Sequence, residues 1–122
     1  MLFRVDPASP LPLADQIAAS VRRAIAEGTV DPGERLPAAR ALANSLGVNV
    51  HTVLRGYQRL REEGLIELRR GRGAVVVDTT SNRARAQLLV RVRELVDDAR
   101  RLGLSEDEVV HLVRVGLQPG AQ

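Results

Sequence analysis

The chain has 122 residues, enough for one domain and an appendage, and its net charge is +3. It has no cysteine, which excludes disulfides and thiolate metal sites, and no apolar run long enough to span a membrane. All 18 basic residues are arginine. That usage fits either a GC-rich genome or a need for the guanidinium fork.

The charge is unevenly placed. Residues 1–32 carry three Arg against four acids, giving −1. Residues 33–77 carry eight Arg against four Glu, giving +4, and residues 78–122 carry seven Arg against seven acids, giving 0. The cationic excess of the middle segment points to a polyanionic partner there. The opening MLFRVDPASP lacks a basic run followed by an apolar core, so no secretory signal is expected and a cytoplasmic setting is.

In chain order, FRV at 3–5 predicts a short strand. Prolines 7, 10 and 12 then break regular structure. A helix is predicted from near Pro12 to Gly28, with Leu13, Ile17, Val21 and Ile25 on its buried face. TVDPGERL reads as a turn. A second, short helix runs from about Pro37 to Leu46, with Ala41, Leu42 and Leu46 inward. A third is capped by Asn49 and runs to about Glu63, burying Val53, Gly56, Tyr57 and Leu60.

LIELR and AVVVD predict two strands around the stretch RRGRG. Glycines beside arginines fit a phosphate loop, a disordered arginine-glycine tract or a hairpin tip. No helix follows them and valine strands bracket them, so a cationic hairpin tip is predicted. Helix, helix, turn, helix and hairpin make the plan of a winged helix-turn-helix.

After Asp78 a polar linker, 78–82, leads to a helix from about Arg83 to Leu102. Its apolar stripe comprises Leu88, Leu89, Val92, Leu95, Val96, Ala99 and Leu102. Ser105 and Glu108 fit a capping box for a last helix to about Leu117, which adds Val109, Leu112 and Val113. Residues 118–122 read as a flexible tail. The predicted fold is therefore mainly α with a small β-hairpin. A winged helix-turn-helix over 1–77 precedes a two-helix region, 83–117, that dimerises. The alternative use of the stripe is to fold back onto the chain's own head.

On a helical wheel, His51, Leu54, Arg55 and Gln58 face away from the core of the third helix, with Val50 on the edge. In a helix-turn-helix that surface meets base edges. Arg55 suits guanine, Gln58 suits adenine, His51 suits a base or phosphate, and Leu54 and Val50 suit thymine methyl groups. Each exposed side chain taken singly is more often simply solvated. Arg35, Arg40, Asn49 and Thr52 are placed for phosphates. Arg40 could instead pair with Glu62 or Glu63, and Asn49 and Thr52 could simply cap. At the hairpin tip, Arg70, Arg72 and Gly73 suit a minor groove or a phosphate, and only one of Arg69 and Arg70 is expected to face DNA.

Residues 12–77 resemble the winged-helix domain of the GntR family of bacterial transcription regulators. The ordered matches are PLADQI, the PGERLP turn, LA and LGV, TV, GLI and the terminal GRG. GVNVHTVLRGYQRL is similar to the YtrA-type branch, and the short helical tail agrees with it. The resemblance implies sequence-specific regulation, as a homodimeric repressor on an inverted repeat, with control of transporter genes and of its own operon. An unidentified small-molecule effector is a further implied partner. Gly56 stands where alanine is common, which costs about 1 kcal/mol of helix propensity and permits close packing. No Ser/His/Asp, paired-carboxylate or metal constellation appears, so neither enzyme, cofactor nor metal is expected. The rival reading is a winged-helix protein-interaction module without specific DNA readout.

Overall fold

The computed structural model describes residues 3–120. It holds five helices and a hairpin: α1 (Leu13–Glu27), α2 (Ala39–Leu46), α3 (Val50–Glu62), β1 (Ile66–Arg69), β2 (Gly73–Val76), α4 (Asn82–Arg101) and α5 (Glu106–Leu117). Two compact units divide the chain, Met1–Val90 and Arg91–Gln122. The division falls beyond the expected linker at 78–82. Asn82 is already helical and buried, because the first turns of α4 pack into the first unit.

The first unit is built on α1 and α3. Ile17, Ala18, Val21, Ile25, Val53, Tyr57 and Leu60 are buried, as the i+4 spacing requires, while Leu13 is half-buried. Gly56 explains how closely the two helices approach. A Cβ placed there would lie 2.9 Å from the Ala14 carbonyl oxygen. Gly28 ends α1 in the left-handed conformation, with its N–H and that of Thr29 returning to the last turn. On α2 the inward residues are Leu42 and Ala43; Ala41 is exposed, a correction of one helical position to the predicted face.

FRV does not form a strand. Phe3 and Val5 are partly buried and pack on the core from an irregular segment. Gln16 holds that segment by accepting from Asp6 N–H at 2.6 Å and donating to the carbonyls of Asp6 and Leu11.

The hairpin pairs Ile66 with Val76 and Arg69 with Gly73, antiparallel. The PGERL stretch does more than turn. Leu36 N–H donates to the Ala74 carbonyl at 2.8 Å, and Val76 N–H to the Glu34 carbonyl at 2.9 Å. Residues 34–36 thus form a third, single-bridge edge on β2. Ala74, Val75 and Val76 are all buried, where a strand with one open face would alternate.

In the second unit, Ser105 and Glu108 complete the predicted capping box. Val96 is half-buried and Ala99 is buried, but α5 has no buried residue. Gln118 caps α5; Ala121 and Gln122, the end of the predicted flexible tail, lie outside the described residues.

Candidate nucleic-acid interface

The outer face of α3 is set by what its inner face buries. With Val53, Gly56, Tyr57 and Leu60 committed to the core, the helix must present His51, Leu54, Arg55 and Gln58 outward, and all four are exposed. Leu54 is 47% exposed, so a large apolar side chain stands among polar ones on a wet face. The Asn49 side chain accepts the His51 N–H at 2.8 Å, fixing the start of the helix.

Two expected members differ. Thr52 lies on the buried side of α3, only 9% exposed, so its expected phosphate contact is withdrawn. Val50 is half-buried against the core and offers only part of its side chain. Arg59, one turn beyond Arg55, is exposed and was not singled out from the sequence. The i+4 spacing from Arg55 would have shown it.

Arg40 stands on α2 beside the start of α3. A groove of about 360 Å³ runs between them, lined by Arg40, Ala43, Asn44, Val48, Asn49 and Val50. Asn44 joins Arg40 and Asn49 there because it lies four residues along α2, a residue the sequence reading missed. A second cleft of about 480 Å³ follows Glu34 to Ala38 and includes Arg35, whose backbone bridges Val75.

At the hairpin tip Arg69, Arg70 and Arg72 are all exposed, and Arg69 is paired with Glu67 on the same strand. Gly71 and Gly73 have φ of 80° and 73°, and open space surrounds the position of a Cβ at each. Backbone conformation, not internal crowding, requires glycine there.

Among the described residues, none of Arg35, Arg40, Arg55, Arg59, Arg70 and Arg72 forms an ion pair. Of the two partners considered for Arg40, Glu63 pairs with Arg22, and Glu62 forms no ion pair among the described residues. Arginines with no internal partner are available to an external anion. Among the described residues there is also no cluster of three or more His, Asp or Glu able to hold a metal, and no helix long and apolar enough to cross a membrane.

A helix-turn-helix with an outward α3, a hairpin wing and unpaired arginines on both defines a winged-helix DNA-binding protein. The family model for bacterial regulatory proteins of the gntR family matches residues 13–76, over half the chain. The chain therefore belongs to the GntR family, and within it is YtrA-like. It is similar to the HTH-type transcriptional repressor YtrA of Bacillus subtilis, 30% identical over 112 residues, covering 88% of this chain and 86% of that one. Among solved structures it resembles YtrA from Sulfolobus acidocaldarius, 34% identical with a TM-score of 0.61, over 80% of this chain and 99% of that one. It also resembles the AraR DNA-binding domain in complex with operator ORX1, 28% identical with a TM-score of 0.54, over 62% and 93%. The protein is a DNA-binding regulator and not an enzyme.

Proposed function

We propose that the protein is a homodimeric transcriptional repressor that binds an inverted-repeat operator. The observation that carries this reading is the set of exposed, unpaired polar and cationic side chains on α3 and the wing. In this reading Arg55 takes guanine O6 and N7, and Gln58 takes adenine. His51 donates to a base or phosphate, and Leu54, with the free edge of Val50, covers thymine methyl groups. Arg35, Arg40 and Asn49 hold phosphates and fix the register. Arg70, Arg72 and the Gly73 backbone follow the minor groove or its phosphates.

One head reads few base pairs, so specificity calls for two heads related by a twofold axis. Exposed apolar side chains supply the means. On α4, Leu88, Val92, Leu95 and Leu102 are 40–76% exposed. On α5, Leu112 and Val113 are exposed and Val109 is half-buried. Leu89 and Ala99 belong less to this surface than their spacing implies. Leu89 packs on the core of the first unit and Ala99 is buried within the chain. Val110, Val115 and Leu117 add exposed apolar surface.

The Bacillus relative's designation as a repressor supports that sign of regulation. A dimer seated on promoter DNA blocks polymerase, and transporter genes together with its own operon are the targets we assign. The helical tail is where a small-molecule effector would act, by biasing the spacing of two heads.

Fluorescence anisotropy against duplex DNA from the chain's own promoter, with a scrambled duplex as control, tests the reading. A preference for the promoter duplex that survives raised salt supports base readout. Equal, salt-sensitive binding to both leaves only backbone attraction and sinks it.

A further inference from the structure

The first turns of α4 grip the reading head in a repeated arrangement. Arg83 Nε donates to the Ala26 carbonyl at 3.2 Å, joined by Gln87 Nε2 at 3.1 Å. Arg85 Nε donates to the Glu63 carbonyl at 2.8 Å. These carbonyls lie at the C-terminal ends of α1 and α3, where the helix dipole favours a cation. Each end is followed by a glycine in the left-handed conformation, Gly28 at φ 75° and Gly64 at φ 78°. An arginine covers each glycine. A Cβ on Gly28 would lie 3.1 Å from Arg83 Nη1, and one on Gly64 3.1 Å from Arg85 Nε. The glycines therefore serve twice: they permit the turn, and they leave the seat a guanidinium occupies.

Beneath the arginines, Asn82 and Ala86 are fully buried and Leu89 packs on the core. The segment 82–90 is thus an integral part of the head.

We propose that Arg83 and Arg85 are positioning residues for DNA reading, holding α1 and α3 by their C-terminal ends so that the far end of α3 meets base edges in a fixed pose. The proposal rests on the reading of α3 as the recognition helix. It makes α4 a handle: displacing 82–90 weakens operator recognition by loosening the pose of α3, although no DNA-facing side chain is removed.

The test uses the full chain and the Arg85→Ala, Arg85→Lys and Arg83→Ala variants. Arg85 is exposed, so its loss should leave the fold intact. Binding to the promoter duplex is expected to weaken about fivefold in Arg85→Ala, the scale of one ordinary net hydrogen bond. Binding to the scrambled duplex should change much less, and the salt dependence should keep its slope. Arg85→Lys, which retains a cationic donor, should recover most of the loss, and Arg83→Ala should act in the same direction.

Equal weakening on both duplexes, with the salt slope reduced by about one, would mean that Arg85 itself touches a phosphate, and overturns the proposal. Wild-type binding by Arg85→Ala overturns it too. If the wild-type protein shows no preference for its promoter, the recognition-helix reading fails on its own account. Hydrogen exchange then judges the clamp separately. The Gly64 and Leu65 amides, bonded to the Arg61 and Leu60 carbonyls, should exchange several-fold faster in Arg85→Ala, and unchanged exchange overturns it.

Discussion

Arg22 and Glu63 form a two-pronged ion pair between α1 and the end of α3, with Nε to Oε1 at 3.0 Å and Nη2 to Oε2 at 2.8 Å. Their side chains are 5% and 12% exposed. A buried pair of this geometry adds little over an apolar pair of equal size, but half of it is costly. Arg22→Ala is expected to lower stability by about 3 kcal/mol, whereas Arg22→Met with Glu63→Met should stay within about 1 kcal/mol of wild type. Urea unfolding of the three proteins decides it. A single variant as stable as the double would contradict the pairing argument.

Gly56→Ala sets two effects against each other. Alanine improves helix propensity by about 1 kcal/mol. Its methyl group would lie 2.9 Å from a backbone oxygen of α1 and 3.1 Å from Ile17 Cγ2. A main-chain carbonyl cannot swing aside as a side chain can, so α1 and α3 must separate. Overpacking of this kind costs about 1–3 kcal/mol. We expect a net loss of stability and a lower thermal midpoint. A gain would mean that the helices are not held at this distance.

Tyr57 donates its hydroxyl to the Pro37 carbonyl at 2.8 Å, joining α3 to the approach to α2. Burial pushes its pKa up to about 12, because the phenolate loses solvation inside the fold. The folded value lies above the unfolded one near 10. The associated stability is therefore complete below pH 10 and is lost as pH rises from 10 towards 12. It is the chain's single tyrosine and there is no tryptophan, so tyrosinate absorbance reports this group alone. Native protein should stay un-ionised at pH 11 until it unfolds. Tyr57→Phe should lose about 1 kcal/mol at neutral pH and show a smaller alkaline loss. Ionisation near pH 10 without unfolding would contradict the burial argument.

The elements legible in the sequence are those written locally. Apolar spacing along 13–25 and 53–60 gave helix faces, Asn49 and Ser105 gave caps, and Gly28 gave a stop, in the left-handed conformation. The outward set His51, Leu54, Arg55 and Gln58 followed from the buried set by geometry alone. What escaped depends on partners distant in the chain. Arg22 finds Glu63 across 41 residues, and Arg83 finds Ala26 across 57. The strand-like edge at 34–36 exists only because β2 arrives beside it, about 40 residues later. Ala41 was misplaced because a short helix leaves the width of its buried face undefined until the partner helix is in place, and Thr52 because it lies beside Val53 on the buried side of α3.

Base readout and backbone attraction separate by variant. Arg55→Ala should weaken promoter binding by about 1–3 kcal/mol and relax preference at one base-pair position. Arg40→Ala should weaken promoter and scrambled duplexes alike and lower the salt slope by about one. Competition with single-base-substituted duplexes distinguishes the two. The same uniform loss from both variants would leave α3 without a base-reading role.

The apolar surface of the tail makes the remaining prediction. From Val109 to Leu117 only His111, Arg114 and Gly116 interrupt the apolar run, yet no residue of α5 is buried. Single exposed leucines are ordinary; a run on one helix is not. A second copy of the chain is the occupant that would also supply the second reading head. Leu112→Glu, at a residue 57% exposed, places a charge on that surface with little internal packing to break. Wild type should sediment as a dimer at micromolar concentration and the variant as a folded monomer. The variant should also bind a two-half-site duplex no better than a one-half-site duplex, because the gain from joining two heads is lost. A wild-type monomer, or a variant dimer as tight as wild type, would remove α5 from the assembly.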